Sequence, residues 1–136
     1  MTSRRAWRIA GTLAGLTLAM GTACSDLGSG LDPFQPEVTS ATDDFQFQAS
    51  GFTNIDASKA WTWQNTGTRA TVNHATTTAG GSAHVVIRDA NGVIVYDKDL
   101  TSSLTEPTAA GVAGTWNIRV TLTHFSGSIN FRVQKL

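Results

Sequence analysis

"GTWNIRVTLTHFSGSINFRVQKL", residues 114–136, carries the pattern from which the fold is read. Trp116, Ile118, Val120 and Leu122 occupy alternate positions, "FSGS" interrupts, and Ile129, Phe131 and Val133 resume the alternation. Successive side chains on a strand point to opposite faces, so an apolar residue at every second position marks a strand with one buried face and one wet face. Two such runs around a Ser/Gly tetrapeptide predict a hairpin that turns at residues 125–128.

The same grammar extends toward the N-terminus. "SAHVVIRDANGVIVYDKDL", residues 82–100, reads as two strands around "DANG", where Asn91-Gly92 can take the positive φ that a tight turn demands. "DFQFQASG", residues 44–51, puts Phe45, Phe47 and Ala49 on one face and Gln46 and Gln48 on the other. "ASKAWTWQN" and "RATVNHAT" supply further strands, and "TSSLTEPTAAG" holds a short edge strand near Leu104, with Pro107 confined to an edge or loop. Turn signals recur every 8–12 residues or so, the spacing of sandwich strands. The expectation over residues 43–136 is an all-β domain, an antiparallel β-sandwich of about seven to eight strands, Ig-like or jelly-roll-like.

The first 24 residues have a different character. Basic residues 1–8 precede the apolar run of residues 9–20, and the small residues Gly21, Thr22 and Ala23 lead to Cys24, the only cysteine. This is the three-part anatomy of an export signal, and its 12-residue apolar run is shorter than the ~20 residues a spanning helix needs. Residues 1–24 resemble a bacterial lipoprotein signal peptide, with Gly21 standing where Leu is usual. The resemblance implies cleavage before Cys24 and diacylglycerylation of its sulfur, hence attachment to the membrane through lipid. Ser25 rather than Asp after the cysteine implies the outer membrane if the host is Gram-negative. Gly21 and Ala23 also suit an ordinary signal peptidase, which would release a secreted protein starting at the same Cys24. An unpaired thiol in an oxidising compartment needs a reason, and lipidation supplies one. Residues 24–42, rich in Gly, Pro and scattered acids and without period, read as a flexible linker behind that cysteine.

Charge narrows the partners. Removing residues 1–23 leaves seven basic residues against ten acidic ones, a net −3, and no cluster of Lys and Arg that would grip nucleic acid. His74, His84 and His124 lack metal-ligand spacing and read as solvent-facing strand positions. Asp89 and Asn91 begin like a calcium loop, but Gly92 comes too early and no acid closes it, so a plain turn is expected. Asp97 and Asp99 share one strand face as solvated acids, with Lys98 opposite. No nucleophile elbow or phosphate loop occurs, no cofactor is implied, and the domain is expected to be non-catalytic.

Trp61 and Trp63 remain as possible ligand-binding residues. On alternate positions they project from one face, either into the core or as a platform that could stack on sugar rings. Residues 113–136 resemble the closing strands of the pre-peptidase C-terminal type of secreted bacterial β-sandwich, in which Gly-Thr-aromatic opens a strand and a Ser/Gly turn leads to the last one. That resemblance implies an accessory module, although no enzyme is attached here. The sequence thus points to an envelope lipoprotein that binds an unknown envelope protein or glycan; a structural envelope lipoprotein and a carbohydrate-binding module remain alternatives.

Overall fold

A computed structural model describes residues 30–136; the signal segment and Cys24 lie outside the described residues. The described residues form seven antiparallel strands and one 3-10 turn (Asp32–Phe34), with no α-helix among them. β2 (Asp44–Asn65) and β7 (Gly114–Lys135) are 22 residues each and pair along their whole length, from Asp44 opposite Gln134 to Asn65 opposite Gly114. β3 (Ala70–His74) and β4 (Thr77–Arg88) follow one another along the other side of β7. The outer positions are taken by β1 (Glu37–Ala41) on β2, β5 (Ile94–Asp99) on β4 and β6 (Leu104–Pro107) on β3.

The long strands fold double. Extended chain advances about 3.3 Å per residue, so the sixteen residues from Phe45 to Trp61 on β2 would separate them by about 50 Å. Their ring centroids are 5.9 Å apart, and Phe47 and Trp61 are 5.0 Å apart. The fold line is marked by ladder slips between Ala49 and Ala57 on β2 and between Thr78 and Ser82 on β4. Positive φ angles at Gly51, Asn54, Gly81, His124 and Gly127 lie along the same line. One sheet thereby becomes two layers. The first holds β1, the start of β2, the end of β7, β3 and β6; the second holds the end of β2, the start of β7, β4 and β5.

The architecture is the expected one, all-β, antiparallel and sandwich-like, but the hairpin expected at "FSGS" does not exist. Residues 114–122 and 128–135 do not pair with each other; each pairs with its own stretch of β2. The reason sits in the middle of the supposed turn: Phe125 is fully buried and packs edge-on against Phe52 at 5.6 Å, whereas the tip of a turn faces water. Residues 44–51 and 57–65 are likewise one strand rather than two. By contrast the "DANG" hairpin forms, with Gly92 at φ 79° although Asn91 does not share the positive φ, and the short strand at Leu104 lies at the sheet edge.

Between the layers lie Phe45, Phe47, Val72, Phe131 and Val133 from the first and Trp63, Trp116, Ile118, Val120 and Ile87 from the second, all buried. Each contributes ~1.5–3 kcal/mol relative to exposure. The two buried indoles meet edge to face at 5.9 Å, and each N–H finds a carbonyl, Trp63 donating to Ala41 (2.9 Å) and Trp116 to Val112 (2.7 Å).

The segment expected as linker also differs over its described part. Leu31 is fully buried, Phe34 packs on Phe52 at 4.4 Å, and residues 37–41 pair with residues 44–48. Leu31, Phe34 and Val38 are widely spaced apolar residues in a polar stretch, so no period betrays them. Leu31 and Phe34 add to the core the apolar surface that a small domain needs, while Val38 stays exposed.

Candidate functional site

The sequence-derived candidates are Trp61, Trp63 and Cys24, of which Cys24 lies outside the described residues. Trp63 is 1% exposed, so neither ring face is open to a ligand. Trp61 is half-buried against Phe45 and Phe47. The two indoles face the core and do not make a stacking platform. Beside Trp63 the two ends of β2 come together, Ser40 Oγ donating to the Thr62 carbonyl (2.9 Å) and the Asp43 N–H to the Gln64 carbonyl (2.8 Å). The shallow depression there, about 220 Å³ and lined by Ser40, Ala41, Thr42, Thr62, Trp63 and Gln64, is smaller than a typical small-molecule pocket.

His74 is 2% exposed, contrary to the expectation of a solvent-facing histidine. It continues the buried face of Ala70 and Val72, and its polarity is absorbed by a chain of hydrogen bonds. The Thr101 N–H donates to Nδ1 (3.2 Å), which leaves the proton on Nε2 to donate to Tyr96 Oη (2.6 Å). The Tyr96 hydroxyl donates to Glu106 (2.8 Å), which also pairs with Lys98. Burial holds the His74 pKa below its ordinary value, and Lys98 adds to this against the pull of Glu106. Burial, then Glu106, pushes Tyr96 up, while Lys98 and Tyr96 hold Glu106 down. Because β3 and β6 belong to one layer and β5 to the other, this chain ties the layers together along one side.

A second cluster lies on the outer face of the second layer. His84 stands directly opposite Asp99 across the β4–β5 ladder, with Asp97 two residues along. Nδ1 contacts Asp99 Oδ1 at 2.7 Å and Nε2 contacts Asp97 Oδ1, so the ring is gripped from both ends. Partial burial opposes its charge, but the bonds to Asp99 and Asp97 outweigh this and raise its pKa. With both nitrogens engaged, the imidazole has none left to activate a nucleophile. Among the described residues no group of three His, Cys, Asp or Glu is placed to hold a metal ion. The expectation of exposed acids holds for Asp97 and Asp99, but their shared imidazole is not visible until the "DANG" turn fixes the register that brings positions 84 and 99 together.

Asp89 of that turn is a structural residue. The residue is 5% exposed, and its carboxylate accepts N–H groups from Asn91 (3.0 Å), Val93 (2.9 Å) and Val112 (3.0 Å). Burial raises its pKa, the three amides lower it, and the net direction is down.

The outer face of the first layer has another chemistry. One cross-strand row runs through Thr39, Gln46, Arg132, Asn73 and Thr105, one residue from each of five strands. Gln48, Asn130 and Gln134 flank it. Arg132 holds Asp44 through two parallel bonds of 2.9 Å, and Asn73 donates to Thr105 (2.7 Å). The sequence gives each of these residues as the polar half of an alternation; only the ladder shows that they form one surface.

No model of a known protein family matches the chain, and no curated protein does. The resemblance of residues 113–136 to accessory sandwiches thus gains no support from relatives, and its Ser/Gly turn is absent from the fold.

Proposed function

We propose that the protein is a cell-envelope lipoprotein, held to the membrane by lipid on Cys24, whose β-sandwich is a non-catalytic binding or accessory module. One observation carries this reading: the only cysteine directly follows the small residues that end an export-signal pattern and precedes Leu31, the first buried residue among the described ones, by seven positions. As the one cysteine of the sequence it has no disulfide partner within the chain, and lipid attachment is the use that fits its place. Two acyl chains or more would make attachment durable, at ~0.8 kcal/mol per buried methylene.

Geometry refines the picture. Seven residues reach at most about 25 Å, so the sandwich rides close to the bilayer with its Leu31 end toward the lipid. The engagement of both nitrogens in His74 and in His84 supports a module that binds rather than catalyses. Replacing Cys24 with Ser tests the anchor: the variant should carry no acyl chains and retain its signal segment. A variant that is processed normally and still sediments with membranes would refute lipid attachment at Cys24.

A further inference from the structure

Two histidines hold β5 to its neighbours, and a proton acts on them in opposite ways. His84 of β4 lies between Asp97 and Asp99 of β5, with Thr121 of β7 on its other side and Arg119 two residues further along that face. A proton gives this ring a charge that both carboxylates stabilise, so acid tightens β5 on β4. His74 of β3 is buried; Tyr96 and Lys98 face it from β5 and Glu106 from β6, while the uncharged Phe131 stands opposite on β7.

The two nitrogens of His74 respond differently to a proton. Nε2 already donates to Tyr96 Oη, whose own proton goes to Glu106, and a charged ring leaves that arrangement intact. Nδ1 accepts the Thr101 N–H, and once it carries a proton it is a donor facing a donor. That contact is one of two that pin the connection between β5 and β6 to the β3 side. The other is the Thr76 N–H, which donates to the Thr101 carbonyl (2.9 Å). Ser102 and Ser103 are exposed, and Thr101 is exposed as well, so water takes up its freed N–H. Leu100 is held separately, its N–H donating to the Ala83 carbonyl on β4 (2.7 Å).

We infer that residues 101–103 form an acid-released latch across the seam between the layers: a proton at His74 Nδ1 frees Thr101 from β3, while the His84 clasp keeps β5 on β4. Burial keeps the ring neutral while the latch is closed. Opening wets the ring and returns it to its ordinary value of 6.5, so the open form takes up a proton that the closed form resists. The latch is therefore closed above that value and opens as pH falls below it.

The test is amide hydrogen exchange of the purified native protein in detergent, resolved by NMR at about pH 7.5 and about pH 5 and corrected for the intrinsic pH dependence of exchange. Thr101 and Thr76 should lose protection roughly fivefold or more, up to a ceiling of about thirtyfold set by the ordinary value of 6.5. Residues 84–88 of β4 should keep theirs. His74→Gln supplies one acceptor and one donor without titrating, and should abolish the acid effect, whereas His84→Gln should leave the loss at Thr101 and Thr76 in place. If His74→Gln does not fold, the parent decides alone: the His74 ring nitrogens and the Thr101 amide must then shift with one common midpoint. Unchanged protection at Thr101 and Thr76, loss of protection throughout the domain together, an acid effect that survives in folded His74→Gln, or a Thr101 amide that does not follow the His74 ring would each overturn the proposal.

Discussion

Gly127→Ala is the substitution on which the doubled fold makes its sharpest prediction. Gly127 has φ 139°, and a Cβ there would lie 2.0 Å from the Thr77 carbonyl oxygen and 3.0 Å from its carbon. Two costs arise. Holding an L residue at such an angle takes ~1–3 kcal/mol, and pushing the Thr77 carbonyl aside loses a ladder hydrogen bond worth ~0.5–1.5 kcal/mol. The sum is ~2–4 kcal/mol, a large share of the ~5–15 kcal/mol a domain of this kind has. Gly51→Ala is the internal control. Its φ is also positive, 82°, but nothing lies within 4 Å of the added methyl, so only the backbone term of ~1–2 kcal/mol applies. Urea unfolding of the two variants isolates the close approach of β4 and β7. With an m-value of ~1–3 kcal/mol/M, Gly127→Ala should unfold at a midpoint lower than that of Gly51→Ala by roughly 1 M. Equal midpoints would mean that Gly127 sits in an open surface turn, and that the strand does not fold back as described.

Other outcomes follow from the polar clusters and the core. Tyr96→Phe strands the Nε2 proton of buried His74 and should lower stability by ~1–3 kcal/mol in chemical denaturation, the cost of an unpaired buried donor. His84 has a raised pKa, so its clasp stabilises fully below the ordinary value of 6.5 and is lost as pH rises through the folded value; Asp97→Asn with Asp99→Asn should remove that slope from stability measured across the pH series. Asp89 has a lowered pKa, so its contribution is present above 3.8 and lost as pH falls through the folded value; Asp89→Asn should flatten the acid limb of the same profile. Phe131→Ala should open a cavity between the layers and destabilise by ~3–5 kcal/mol in urea unfolding.

Much of this fold is legible in alternation alone. The faces of Phe45, Phe47, Trp116 and Val133 are all assigned correctly, because burying every second residue leaves a local mark. What is not local is lost. "FSGS" contains residues that suit a turn and equally a bulge, and the alternation shifts phase across it, from Leu122 to Phe125 to Ile129, in either case. Only pairing partners tell the two apart, and these lie some 50 to 90 residues away on β2. Phe125 is the one local clue, since a turn gains nothing from a buried ring. The candidate sites show the same divide. Trp61 and Trp63 share a face as expected, yet whether that face meets the other layer or water depends on the fold line near Gly51. The His84 clasp and the row from Thr39 to Thr105 exist only in register, which single-strand patterns do not carry.

The central claim is lipid on Cys24, and intact mass spectrometry of the protein purified from its native membrane tests it most directly. The account predicts the mass of residues 24–136 carrying a thioether-linked diacylglyceryl group, with or without a third acyl chain on the amine. A bare mass beginning at Cys24, or one that still includes the signal segment, would contradict it.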